Sequence, residues 1–416
     1  MKNRALYIPL ITSIVSAFAL VILASPKTEI ETKPKEGAIR VLFLGHDSEH
    51  HNSNKYYPML AKGLGRDAIY FDYVTSVEEA LGDATFLGKF DALLLYANHG
   101  TITPNQWKNL KDYVEGGGGF VPVHCASWCF GNEPAFDQLV GGRFDSHKVG
   151  TFTSKVVDPQ HPAMEGVKEF EAWDETYKHK NHNEKDRQVL MVREVAGKDD
   201  NITEPEPWTW VRTQGKGRVF YTASGHDERV WKQPAFHQLL KAGILWSVGK
   251  ERKQSYEEFI AERAPLKYEK RGDIANYENR PEPLPYQFPL KAEDSMKYTQ
   301  APVGFRLELF ASEPDIINPI GLAWDERGRL WAAETVDYPN EMTPDRVGND
   351  KIKILEDTDG DGKCDKVTVF ADGLNIPTSL TFSRGGIIVA HVPDFLFLKD
   401  TDGDDKADVR EVLNTG

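Results

Sequence analysis

The sequence predicts an α/β fold, a parallel sheet with helices on both faces, followed by an all-β segment that begins a propeller. Three observations lead there. Between about residues 38 and 249, short apolar runs alternate with stretches of helical period. From about residue 301 the spacing changes to that of consecutive strands. An Asp-rich stretch, "ILEDTDGDGKCDKVTVFADGL" (354–374), returns as "FLKDTDGDDKADVREVLNTG" (397–416), so that Asp357 matches Asp400 at a period of 43 residues. That period is the length of one four-stranded propeller blade. A closed propeller needs at least four blades, roughly 160 residues or more, and the chain reads as a fragment of something longer.

The elements follow in order. "MKNRALYIPLITSIVSAFALVILAS" (1–25) sets Lys2 and Arg4 before an apolar stretch, which is an export signal. Its length suits either a cleaved signal peptide or a retained membrane anchor, and a linker (26–37) follows. The reading is an exported chain, periplasmic or in the cell envelope. "AIRVLFLG" (38–45), "AIYFDYV" (68–74), "FDALLLYAN" (90–98) and "GFVPVH" (119–124) are buried strands. "YYPMLAKGLG" (56–65) is a helix, and "TPNQWKNLKDYVEGGG" (103–118) is another, with Thr103 as N-cap, Pro104 in the first turn and glycines closing it. "FYTASGHDERVW" (220–231) is a strand entering a loop, and "QPAFHQLLKAGILWSVG" (233–249) closes the domain as an amphipathic helix. Residues 250–300, a charged helix and a Pro/Tyr-rich run, read as a linker laid on a surface. Residues 301–416 then hold the first blades.

Acidic residues outnumber basic ones 64 to 50, for a net charge of −14, and no basic footprint for nucleic acid is present. Only three cysteines occur, Cys125, Cys129 and Cys364, too few and too odd for a disulfide framework. No Cys-x-x-Cys-His site for haem attachment exists.

In a parallel sheet, ligands sit beyond the carboxyl ends of the strands. The loops after residues 45, 98 and 124 are therefore the place for chemistry, and histidines gather there: "GHDSEHHN" (45–52), "NHG" (98–100) and His124. His46, His50, His51, His124, His147 and His226, with Asp47 and Glu175, suit a zinc-like divalent metal or proton transfer. His46, His124 and His226 are the candidate metal ligands, although no tight His-x-x-x-His spacing marks them. His124, Glu175, His226 and Cys125 are the catalytic candidates. In "FVPVHCAS" a strand-to-helix elbow falls on His124, with Pro122 and Ala126 as its flanks. Cys125, one residue on, points the other way. In "WDETY" (173–177), either Trp173 and Tyr177 pack inward with Asp174 and Glu175 outward, or Glu175 is a base or ligand.

"DTDGDGKCD" places Asp357, Asp359, Asp361 and Asp365 at positions 1, 3, 5 and 9 of a calcium-type loop, but Thr368 stands where position twelve wants glutamate. The second copy has Asp400, Asp402, Asp404 and Asp408, with Glu411 at position twelve and Asp405 where glycine is expected. The alternative is a solvated acidic turn between strands.

The ordered motifs "HCAS", "GGRFDSHKVGTFTSKVVDPQHP", "FEAWDETY", "EPWTWVRTQGKGRVFYTASGHD" and "GILWSVG" resemble the trehalose-utilisation (ThuA-like) family, a branch of the flavodoxin-like, class I glutamine-amidotransferase-like fold. The resemblance covers about 38–249. "PVGFRLELFASEPDIINPIGLAWDERGRLWAAETVDYPNE" (302–341) is similar to the start of large exported membrane-bound dehydrogenase-like proteins, which join a ThuA-like domain to a sorbosone/glucose-dehydrogenase-like propeller and often to a haem module. The resemblance implies a sugar or oxidised sugar as substrate. His50, His51, His147 and Asp174 are the residues read as meeting it, with Trp208 either stacking on its ring or packing against a helix. It also implies propeller and haem domains beyond this chain as partners. A non-catalytic carbohydrate-binding or docking module is the alternative, and a Cys-dependent amidotransferase or hydrolase is the third.

Overall fold

The computed structural model describes residues 37–198, 200–273, 285–338 and 345–416. The stretch read as a signal or anchor and nearly all of the linker after it lie outside these residues, as does much of the Pro/Tyr-rich run. Among the described residues no helix is long and apolar enough to cross a membrane.

The first domain is built on eight strands in the order β2-β1-β3-β4-β12-β11-β10-β7. These are β1 (Ile39–Leu44), β2 (Ile69–Val74), β3 (Ala92–Leu95), β4 (Gly119–Pro122), β7 (Lys155–Val156), β10 (Arg187–Arg193), β11 (Glu206–Gln214) and β12 (Gly217–Thr222). Registers such as Val41↔Ala92 and Leu93↔Phe120 make β2, β1, β3, β4 and β12 parallel. They are apolar almost throughout because helices cover both faces of such a sheet. The other three strands run antiparallel. The sheet is therefore mixed, which corrects the all-parallel expectation.

Helices α1 (Ser53–Gly65), α2 (Val77–Leu81), α3 (Ala84–Leu87), α4 (Pro104–Glu115), α5 (Pro134–Val140), α6 (Glu228–Trp231) and α7 (Pro234–Ser247) fill the connections. Helix α4 starts where its signals place it. The Thr103 hydroxyl accepts from Gln106 N–H at 3.3 Å and the Gln106 side chain accepts from Thr103 N–H at 2.9 Å, a capping box. In α7, Gly243 lies on the Phe220 ring so closely that a Cβ there would sit 2.5 Å from it.

Two small ribbons interrupt the second half of the domain. Strands β5 (Arg143–Ser146) and β9 (Lys178–Lys180) form one, and β6 (Val149–Thr153) and β8 (Glu171–Glu175) the other. Helix α8 (Lys250–Ala261) is docked rather than free: Tyr256 is buried and its hydroxyl donates to Asp67 O at 2.7 Å, while Arg252 binds Asp91 at 3.0 Å and Ala38 O at 2.7 Å. The charged helix read as linker thus belongs to the first domain. A short pair, β13 (Tyr268–Glu269) with β14 (Tyr286–Gln287), and α9 (Ala292–Met296) follow.

The remainder is two four-stranded antiparallel sheets. One holds β15 (Pro319–Trp324), β16 (Leu330–Glu334), β17 (Asp350–Glu356) and β18 (Lys366–Leu374). The other holds β19 (Pro377–Ser383), β20 (Gly386–His391), β21 (Asp394–Lys399) and β22 (Val409–Thr415). Trp331, Ile354 and Phe370 of the first share a core with Ile387, Val389 and Leu398 of the second. Each 43-residue repeat thus ends in the same hairpin, with an Asp-rich turn joining the last two strands of its sheet.

Candidate functional site

The parallel strands deliver three loops to one edge. His51 comes from the loop after β1, His124 from the turn after β4, and His226 from the loop after β12. Glu175, the last residue of β8, is brought over that edge by its ribbon. His124 Nε2 lies 3.2 Å from His51 Nε2 and 3.1 Å from Glu175 Oε2. His51 Nε2 lies 3.5 Å from Glu175 Oε2, and His226 Nδ1 lies 3.3 Å from Glu175 Oε1. One donor atom from each of the four lies within 4.8 Å of the others. A tetrahedron with arms of about 2.0–2.1 Å, those of zinc to imidazole or carboxylate, has edges of about 3.3 Å. His51, His124 and Glu175 Oε2 have about that spacing, and His226 meets the other carboxylate oxygen at 3.3 Å.

His124 occupies the elbow in a left-handed conformation, φ +49°, uncommon for a residue with a side chain. The turn is possible because Gly225 faces it: a Cβ on Gly225 would sit 3.2 Å from His124 Cβ, and its φ of +138° suits glycine alone. His124 Nδ1–H donates to Ala223 O at 2.6 Å. That bond places the neutral ring's lone pair on Nε2, toward Glu175, the arrangement second-shell carbonyls impose on metal-binding histidines. Two lone pairs facing each other at 3.1 Å call for a proton or a cation between them.

Burial pushes the Glu175 carboxyl up, but His124, His226 and His51 outweigh it and hold the group well below the carboxylate range. Among the described residues, every ion-pair partner of Glu175 is a histidine. Burial lowers His51 to about 3 despite Glu175. For His226 burial pulls down and Glu175 pulls up, and Glu175 prevails.

Asp174 supports the group from beneath. Its buried carboxylate accepts from Gly225 N–H at 3.0 Å, His226 N–H at 3.1 Å and Glu175 N–H at 2.9 Å. It positions the His226 loop and touches no open space, which corrects its place among substrate-binding residues. His46 is likewise outside the group. Its Nδ1 accepts from Asn98 N–H at 3.2 Å and its Nε2–H donates to His51 O at 2.9 Å, so both nitrogens are spent on tying two loops together.

Beside His51 and Glu175 opens a cavity of about 280 Å³, lined by His50, His51, Asn98, Trp128, Phe144, His147, Glu175 and Tyr177. His147 stands at its rim, half-exposed, with Nε2 3.5 Å from Glu175 Oε1. His50 is exposed beside His51, their ring centroids 4.0 Å apart, and Asp47 is exposed and bonded to Asn54. Trp128, Phe144 and Tyr177 are the residues the sequence reading missed.

Trp208 is fully buried, its Nε1–H donating to Ser224 Oγ at 2.7 Å, and Trp210 is buried with its Nε1–H on Val140 O. Trp208 has no surface open to a ligand, which corrects the sugar contact expected of it. Cys125 is buried in the core, and burial, with Cys129 nearby, pushes its thiol well above the usual range. Burial therefore disfavours the thiolate that a nucleophile needs. All three cysteines are free. Cys125→Ala should fold, cost less than about 1.5 kcal/mol, and leave ligand binding unchanged, as read by thermal melting and titration.

In the Asp-rich turns, Asp357, Asp359 and Asp361 draw together, as do Asp400, Asp402 and Asp404. Asp365 and Asp408 stand apart from those trios: each accepts instead from a threonine of its own turn, Thr358 or Thr401. Backbone N–H groups also close the turns, as from Gly360 to Asp357 at 2.7 Å and Gly403 to Asp400 at 2.7 Å. Asp405, in glycine's place with φ +61°, pairs with Arg329 at 2.9 Å and so ties its turn to the neighbouring sheet.

Away from the donor group, His99, His161, His179, His237 and His391 are all lowered by burial. The folded chain keeps these rings neutral where the unfolded chain protonates them, below about pH 6.5. Their stabilisation is complete above that pH and is lost as pH falls toward the lower folded-state values. Tm measured by calorimetry should therefore be lower at pH 5 than at pH 7.5, and a rise on acidification would contradict this.

The comparisons with known proteins agree in extent with this division. Residues 291–416 match a domain family of unknown function, DUF7133. No curated protein matches the chain. Similar solved structures include a ThuA-like protein from Bacteroides uniformis ATCC 8492, 20% identical over 51% of this chain and 93% of its own, with a TM-score of 0.43. Another, from Parabacteroides merdae ATCC 43184, is 19% identical over 51% of this chain and 90% of its own, with a TM-score of 0.45. Residues 40–247, half of the chain and the whole span that carries the His/Glu group, match the trehalose-utilisation model, and the chain belongs to the ThuA family.

Proposed function

We propose that the first domain binds a divalent ion of the zinc class through His51, His124, His226 and Glu175, and acts there on a sugar or oxidised sugar. The observation that carries this is the set of four donors from four separate segments spaced at 3.1–3.5 Å where neighbours are measured. Such an ion supplies Lewis-acid activation of a sugar oxygen. The chain's own residues do the rest. The Ala223 carbonyl sets the His124 tautomer, and Asp174 holds the His226 loop. Asn98 serves His51: its amide meets Nδ1 at 3.0 Å, and turned over, its oxygen would accept from Nδ1–H and free the Nε2 lone pair. His147, at the rim and next to Glu175, is placed to carry a proton to or from a sugar hydroxyl.

The sugar comes from membership of a carbohydrate-related family. The two Asp-rich sheets belong to the same proposal as consecutive blades of an exported, dehydrogenase-like propeller, supported by the 43-residue period and the shared core. His147→Ala separates chemistry from binding. An enzyme loses turnover of its sugar by about 100-fold or more while binding persists. If sugar binds but the unaltered protein shows no turnover, the domain is a carbohydrate-binding module instead.

A further inference from the structure

We infer that the cavity beside the His/Glu group takes a sugar ring stacked on the face of Trp128. The inference rests on the sugar reading above and adds to it a contact surface.

Trp128 is 42% exposed, and among the described residues its ring has no aromatic or cationic partner and its indole N–H no acceptor. Other tryptophans of the domain are held: Trp208, Trp210 and Trp231 donate hydrogen bonds, and Trp173 carries Arg229 3.4 Å above its ring. The backbone of Trp128 is nevertheless fixed. Arg143 donates to Trp128 O at 3.0 Å and to Cys129 O at 3.2 Å, and pairs with Asp137 at 3.0 Å. A large apolar ring is thus held at the mouth of a polar cavity with its face unused. Phe144 and Tyr177 add aromatic surface beside His147 and His124: their centroids are 4.5 Å apart, Tyr177 stacks on His124 at 4.2 Å and Phe144 lies 5.8 Å from His147.

A pyranose has the matching anatomy. Its axial C–H faces form apolar patches that pack on an aromatic ring, while its hydroxyls point outward around the rim. With one face on Trp128, the edge hydroxyls reach His147, Asn98 and the Glu175 end of the cavity, all of which line it. The cavity, about 280 Å³ and open to solvent on one side, has room for a sugar ring against Trp128.

The test is calorimetric titration of the full chain with D-glucose, D-galactose, D-mannose and α,α-trehalose, repeated on Trp128→Ala and Trp128→Phe, with bound zinc measured in each. At least one of the four sugars should bind. Trp128→Ala should weaken it at least about fivefold, and Trp128→Phe should stay within about threefold of the original. Zinc content should not change, because Trp128 offers no donor atom. Equal binding by Trp128→Ala, or no binding of any of the four, overturns the inference. If the unaltered protein holds no zinc yet the Trp128 dependence appears, the ion-binding reading fails while this one stands.

Discussion

Glu175→Gln should lower the affinity of the chain for zinc by more than about 100-fold, measured by competition with a chromophoric chelator at pH 7.5. The amide has nearly the shape of the carboxylate, so folding is preserved and the loss reports on the missing charge. Glu175 is the one anionic donor among three imidazoles, and it approaches all three within 3.1–3.5 Å. Loss of a residue that only orients a ligand costs about 10–100-fold, and loss of a ligand itself exceeds that. His124→Ala should have the same effect. An affinity unchanged within threefold in Glu175→Gln would show that the carboxylate merely hydrogen-bonds the histidines.

Asp174→Ala should destabilise the first domain by about 3–5 kcal/mol, seen as a lower midpoint in urea with little change in slope. Its carboxylate is buried and accepts three backbone N–H groups, from Glu175, Gly225 and His226. Alanine leaves all three without an acceptor in a site closed to water. A residue that merely contacted substrate would cost stability little, so a loss below about 1 kcal/mol would contradict the positioning role. Asp174→Asn retains one acceptor oxygen and should fall between the two.

The alternation of β1 to β4 with helices was legible because strands buried on both faces leave continuous apolar runs. The meeting place of the loops followed from that alternation alone. Strand direction was not legible beyond β4. The apolar pattern of "EPWTWVRTQ" suits either direction, and only its pairing with β12 shows it antiparallel. The elbow spacing singled out His124 over Cys125, and the left-handed turn falls on His124. Which histidine of "GHDSEHH" turns inward was not legible, because it depends on the carbonyl of His51 capturing His46. Trp128 gave no signal, since its exposure depends on the grip of Arg143, 15 residues further on. The tryptophans of β11, more conspicuous in sequence, are those the core absorbs.

X-ray absorption at the zinc edge of the metal-loaded chain addresses the donor set itself. Three imidazoles and one carboxylate predict a first shell of nitrogen and oxygen at about 2.0–2.1 Å, with the outer scattering of imidazole rings and no sulfur. That shell should vanish in Glu175→Gln. A protein that retains no ion after loading and desalting, or a first shell containing sulfur at about 2.3 Å, would contradict an ion held by His51, His124, His226 and Glu175.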